Sequence, residues 1–156
     1  MKLLLTITFT LGSLLSWGQS ANDFYKRAVA KYKQADYAGA EIEYSRALDI
    51  RPYSAVLWNN RGVCKYKQMK YSDALKDYKR SIDLDPEYIH AYFNKGNCHL
   101  DLTEYQEAIL AYDNVVKRDA KYKNIYNNRA KAFFQLRDYV SCLDDIQTGL
   151  SLNPNE

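Results

Sequence analysis

One period of 34 residues governs this chain. Trp58, Arg61, Gly62, Tyr71, Ala74, Tyr78 and Ser81 return one period later as Tyr92, Lys95, Gly96, Tyr105, Ala108, Tyr112 and Val115. They return again as Tyr126, Arg129, Ala130, Tyr139, Cys142, Ile146 and Gly149, and one period earlier stand Phe24, Arg27, Ala28, Tyr37, Ala40, Tyr44 and Ala47. Four units, 21–54, 55–88, 89–122 and 123–156, therefore follow one another without insertion. Units of this length bury their apolar faces only against their neighbours, which makes the chain a solenoid. Inside the second unit the apolar residues recur at steps of three and four, break at Gln68 to Lys70, and resume with Ala74, Leu75, Tyr78, Ser81 and Ile82. That spacing predicts two helices of about four turns joined by a tight turn, repeated four times as helix-turn-helix hairpins in an all-α fold. Pro52, Pro86 and Pro154 cannot donate a backbone hydrogen bond and end the second helix of their units. The third unit has Ala120 there, so its second helix is expected to run a residue or two further.

Recurring small residues set the packing. Gly62 with Ala74, Ala28 with Ala40, Gly96 with Ala108 and Ala130 with Cys142 predict close approach of the two helices in each hairpin. On this reading Ala replaces Gly62 without loss, because Ala28 and Ala130 already serve in that register. Tyr37, Tyr71, Tyr105 and Tyr139, at one common register, are expected to be structural, with hydroxyls bonded near helix ends. Arg27, Arg61, Lys95 and Arg129 form a basic ladder. Glu43, Asp77 and Asp145 share a register on the second helices, which favours a salt-bridged face over an anion-binding track, although Ala111 interrupts the pairing in the third unit.

The Trp58, Gly62, Ala74, Tyr78 and Pro86 pattern resembles the tetratricopeptide repeat family, over everything after Ser20. Arg61 departs from it, standing with Arg27, Lys95 and Arg129 where that family usually has Leu. The resemblance implies a right-handed superhelix whose first helices line a concave groove for an extended peptide or a partner helix. In the first two units the groove residues would be Asn22, Tyr25, Val29, Tyr32, Lys33, Val56, Asn59, Val63, Tyr66 and Lys67. The third unit would add His90, Phe93, Asn97, Leu100 and Asp101, and the fourth Asn124, Asn127, Lys131, Phe134 and Gln135. Amides can grip the backbone of an extended segment while aromatics supply apolar area. The carboxylate clamp that some members use on chaperone C-termini is not expected. Its positions hold Tyr25, Val29, Asn60, His90 and Asn94 in one window and Asn59, Val63, Asn94, Asn124 and Asn128 in the next.

Residues 1–18 have a composition of their own. Lys2 precedes an uncharged, mostly apolar run from Leu3 to Leu15, and Ser16, Trp17 and Gly18 place small residues where a signal peptidase reads them. Thirteen helical residues rise only about 20 Å against a hydrocarbon core of roughly 30 Å, so cleavage before Gln19 is expected rather than anchoring. The short basic start predicts a periplasmic or secreted chain with no membrane insertion after cleavage. Cys64, Cys98 and Cys142 are odd in number. Cys64 and Cys98 occupy equivalent positions on neighbouring units about 8 to 10 Å apart, beyond disulfide reach, so buried free thiols are expected.

Net charge is +3 with signs interspersed, which lacks the basic stripe that nucleic-acid binding requires. His90 and His99 match no metal spacing, no Cys-x-x-Cys occurs, and the six glycines form no phosphate loop. His99 is expected to be buried. No enzyme and no cofactor are expected; the sequence reads as an exported adaptor that binds a protein or peptide of the cell envelope. Two other classes remain open: a glycan-binding module stacking sugars on Tyr25, Tyr32, Tyr66 and Phe93, and a structural subunit docking by the solenoid ends. Ser141, Asp144, Asp145, Thr148 and Ser151 lie opposite the Val140, Leu143, Ile146 and Leu150 stripe, and Asp144 and Asp145 replace Leu110 and Ala111 of the third unit. A polar outer face at the last helix predicts a monomer.

Overall fold

The computed structural model describes residues 20–122 and 124–152, so the expected export segment with its cleavage point before Gln19, and Pro154, lie outside the described residues. The helices run α1 (Ala21–Lys33), α2 (Tyr37–Ile50), α3 (Ala55–Lys67), α4 (Tyr71–Leu84), α5 (Ile89–Asp101), α6 (Tyr105–Arg118), α7 (Ile125–Gln135) and α8 (Tyr139–Leu152). No strand occurs among the described residues. Each 34-residue unit holds one antiparallel pair, and successive pairs stack through α2 on α3, α4 on α5 and α6 on α7. The first helices also touch across units, α3 with α5 and α5 with α7, while the second helices make no comparable contact with one another. The first helices therefore form the inner, concave layer of a right-handed α-solenoid.

What closes each hairpin is a left-handed residue in one register: Ala35, Met69, Thr103 and Arg137 have φ of 60°, 60°, 61° and 61°. In the second unit Met69 donates its N–H to the Tyr66 carbonyl at 2.9 Å and Lys70 donates to Lys65 at 3.0 Å. This is the Schellman arrangement, which satisfies carbonyls that a helix C-terminus leaves orphaned. Thr103 to Leu100 and Glu104 to His99 repeat it in the third unit, as do Arg137 to Phe134 and Asp138 to Phe133 in the fourth.

The second helices of the middle units end by a different device. Asp85 accepts the Glu87 N–H at 3.0 Å on its side chain, and Asp119 accepts the Lys121 N–H at 2.9 Å. These turns halt α4 and α6 at equivalent residues, Leu84 and Arg118, so α6 does not run longer for lack of a proline.

Small residues recur for a reason other than the one the spacing suggested. A Cβ on Gly62 would lie 2.7 Å from the ring of Tyr78, and one on Gly96 would overlap the ring of Tyr112. The glycine thus opens room for the large aromatic of the facing helix, not for a small partner at Ala74 or Ala108. Tyr78 and Tyr112 are 1% and 0% exposed as a result. Cys64, Cys98 and Cys142 are free and buried, and burial pushes the thiols of Cys64 and Cys98 up to about 12.

The basic ladder is a set of salt bridges across the first, second and fourth hairpins. Arg27 bonds Glu43 at 2.8 Å, Arg61 bonds both oxygens of Asp77, and Arg129 bonds both oxygens of Asp145. Asp145 is consequently buried and cannot serve the polar outer face expected of it. Leu110, the third unit's counterpart of Asp144, is 63% exposed.

Candidate functional site

The concave face divides into three parts. Its first part is a cleft of about 220 Å³ between α1 and α3, lined by Tyr25, Val29, Tyr32, Tyr44, Asn60 and Val63. The rings in this half are fixed edge-on against the second helices: Tyr25 on Tyr44 at 6.0 Å, Tyr32 on Tyr37 at 5.3 Å and Tyr66 on Tyr71 at 5.7 Å between centroids. Burial raises the hydroxyls of Tyr32 and Tyr44 above the ordinary tyrosine value, so both stay neutral donors. Lys33 and Lys67 stand exposed as the last residues of α1 and α3, the Lys67 ammonium 5.8 Å from the centre of the Tyr66 ring. Asn22 is exposed beside Tyr25 in a shallow cleft shared with Ser54 and Val56.

Amides tie the middle part together. Asn94 donates to the side-chain oxygen of Asn59 at 2.9 Å, Asn59 donates to Asn60 at 3.2 Å, and Asn128 donates to Asn97 at 3.0 Å. Asn97 also accepts the Tyr112 hydroxyl at 2.8 Å. Asn59 is only 3% exposed, so it joins the first helices to one another and is not open to a ligand as the groove register implied. Asn60, Asn94 and Asn128 carry this ladder, and their 34-residue spacing was the signal available for it. Tyr66 donates its hydroxyl to Asp101 across units.

In the last part, His90 Nδ1 shares a hydrogen bond with the Tyr122 hydroxyl at 2.7 Å, and Phe93 packs on the Tyr122 ring at 5.1 Å. Tyr122 lies between α6 and α7, where helical periodicity could not place it on the groove. Asn124 and Asn127 line a cleft of about 210 Å³ with Ile146, Gly149 and Leu150, toward α8 and away from the central groove. Lys131 and Phe134 are exposed, and with Asn127, Cys142 and Ile146 they border an apolar cleft of about 550 Å³. Phe134 is braced edge-on by Tyr139 at 5.9 Å. The site residues therefore form an aromatic half, a self-bonded amide centre and a distal cluster, rather than one uniform strip.

His99 is buried, with Nδ1 2.6 Å from Glu104. Among the described residues no three His, Cys, Asp or Glu side chains group as metal ligands, and no helix is long and apolar enough to cross a membrane.

The tetratricopeptide repeat family matches twice, over residues 55–88 and over residues 89–122. The chain is a tetratricopeptide repeat protein. Its matched repeats have the bounds of the second and third 34-residue units and hold α3 to α6. Among solved structures it is similar to the first TPR of Spaghetti (RPAP3) bound to the HSP90 peptide SRMEEVD, with 25% identity and a TM-score of 0.74 over 76% of this chain and 94% of that one. The TPR2B domain of yeast Sti1, in a pHsp70 complex, is 24% identical with a TM-score of 0.70 over 74% of this chain and 97% of that one. MamA from Desulfovibrio magneticus RS-1 has the same fold at 16% identity, with a TM-score of 0.82 over 89% of this chain and 78% of that one. No curated protein sequence matches the chain.

Proposed function

We propose that this protein is a non-catalytic adaptor that binds an extended peptide segment, or one helix, of a partner protein on its concave face. The observation that carries the reading is the cleft of Tyr25, Val29, Tyr32, Tyr44, Asn60 and Val63, with Lys33 and Lys67 exposed at the C-terminal ends of α1 and α3. Rings held by their neighbours lose little freedom on binding, so the cleft offers apolar area at a small entropic cost. Peptide binding by the Spaghetti domain supports the same class of ligand here. The ligand differs in its anchoring, because the positions that would clamp a C-terminal carboxylate hold Tyr25, Val29, Asn60, His90 and Asn94, of which Asn60 alone matches the clamp. An internal segment fits this surface better than a free C-terminus.

Export is part of the proposal, resting on the apolar run behind Lys2. Intact mass of protein recovered from the envelope should correspond to a chain beginning at Gln19; full-length protein in the membrane fraction would overturn this. For the groove, crosslinking in native envelopes followed by mass spectrometry should place partner peptides on Tyr25, Tyr32 and Lys67. Charge reversal at Lys33 and Lys67 should abolish those links while helicity stays unchanged. Links that survive both reversals and cluster instead on Leu143 and Leu150 would favour docking by the end of the solenoid, a reading supported by the 65% and 56% exposure of those two residues.

A further inference from the structure

The third repeat breaks the ladder and leaves a groove between α4 and α6. In the second repeat Asp77 receives two cations, Arg61 at 2.8 Å and Lys65 at 2.8 Å. The equivalent residues of the third repeat are Lys95 and His99, but Ala111 stands where the carboxylate should be, and His99 turns its Nδ1 to Glu104 at 2.6 Å instead. The ladder's other partner is reversed as well. Arg61 reaches back to the Ser45 hydroxyl and Arg129 to Asp113 at 2.7 Å, whereas Lys95 finds Lys79 at that register. Nor does Lys95 stack on the aromatic of its own helix. Arg27 lies over Phe24 and Arg61 over Trp58, while the face of Tyr92 is taken by Arg118 at 4.4 Å.

Lys95 is thus a half-buried cation without a carboxylate in ion-pair range among the described residues. It lies in a groove of about 480 Å³ between α4 and α6 whose floor is α5. Lys76 and Lys79 flank the groove, each held by an exposed acid of its own helix, Asp73 at 2.9 Å and Asp83 at 2.7 Å. Glu107 is the acid on its lining, outside ion-pair range of Lys95, and Leu75 and Leu110 supply an apolar wall.

We propose that this groove binds a protein segment carrying a Glu or Asp followed by an apolar residue, the carboxylate pairing with Lys95 in place of the missing Asp at position 111. Charge complementarity selects the occupant: Lys95 has no carboxylate partner where the neighbouring repeats close the same space with an internal one, while Lys76 and Lys79 at the flank are already paired on their own helix. The site is independent of the concave groove.

The test uses acetyl-Glu-Leu-amide as probe, with acetyl-Gln-Leu-amide as its neutral counterpart, and amide chemical shifts of the labelled full chain as readout. The acidic probe should saturate shifts at Lys95, His99 and Leu110 in the millimolar range, with the neutral probe at least tenfold weaker. Ala111→Asp should place the carboxylate in cis, raise the melting temperature and abolish probe binding. Lys95→Met, which removes the cation without adding a competitor, should weaken the acidic probe at least tenfold and bring it level with the neutral one. Equal binding of both probes, binding that survives Ala111→Asp, or shifts confined to the concave face would overturn the proposal.

Discussion

Arg61 donates to both oxygens of Asp77, Nε to Oδ2 and Nη2 to Oδ1, each at 2.8 Å, and so pins α3 to α4 from inside the second repeat. Asp77 is 2% exposed and holds Lys65 as well. Removing one member of a buried pair strands the charge that remains. Asp77→Ala should therefore cost about 3 kcal/mol in urea denaturation. Asp83→Ala, which breaks the exposed Lys79 pair at a similar 2.7 Å, should cost less than about 0.5 kcal/mol. Equal losses would show that burial does not set the value of these bridges.

Glycine at position 62 makes a sharper test of packing than the repeat pattern implied. Because a Cβ there would lie 2.7 Å from the Tyr78 ring, Gly62→Ala should destabilise the fold by about 1 to 3 kcal/mol, although Ala28 and Ala130 occupy the same register elsewhere. Pairing it with Tyr78→Leu should recover part of the loss relative to the sum of the single changes. Simple additivity in the double-mutant cycle would mean that the two side chains do not meet.

Thr103 is a β-branched residue at φ 61°, where a Cβ is unfavourable by about 1 to 2 kcal/mol. Glycine at this position keeps both Schellman hydrogen bonds and removes that strain, at the cost of a more flexible unfolded chain. Thr103→Gly should raise the melting temperature by about 2 to 4 °C. A fall would show that the side chain contributes more than its backbone strain removes.

The thiols of Cys64 and Cys98, pushed up to about 12 from an ordinary 9, give the fold a pH dependence. Their protons leave the unfolded chain first, so the folded state binds more protons between pH 9 and pH 12, and stability falls across that window. Tyr44, Tyr78 and Tyr112, also raised by burial, act in the same direction. The urea midpoint should drop between about pH 8 and about pH 10.5, and drop less in the Cys64→Ala, Cys98→Ala double variant. At neutral pH a thiol reagent should modify neither cysteine until the chain unfolds.

Helix number, hairpin pairing and the ladder of Arg27, Arg61 and Arg129 were legible in the sequence because each repeats at 34 residues and carries a charge or a volume that only one geometry satisfies. The hairpin turns were legible in position but not in mechanism, since their left-handed residue is Ala, Met, Thr or Arg and never the glycine that usually marks it. The groove was legible as a register and not as a surface. Asn59 falls in that register, yet it is buried because Asn94 of the next unit reaches it, a contact between helices that no periodicity within one helix encodes. Tyr122 joins the same surface from a connection, where side-chain direction does not follow the helical repeat.

The outer face of α8 leads to the last prediction. Val140, Leu143, Ile146 and Leu150 are 74%, 65%, 41% and 56% exposed, and Asp145 has turned inward to Arg129, so Asp144, Gln147 and Ser151 are left as its exposed polar residues. A helix of this length is about 21 Å long and about 10 Å across, so one face offers only a few hundred Å². Stable association takes about 800 Å² per partner, and two copies meeting along this single helix fall well short of it. The isolated chain should therefore be a monomer by light scattering at micromolar concentration, with self-association emerging only near millimolar. A micromolar dimer that dissociates when Leu143 and Leu150 are both changed to Gln would overturn this, and would make the end of the solenoid, rather than its groove, the principal docking surface.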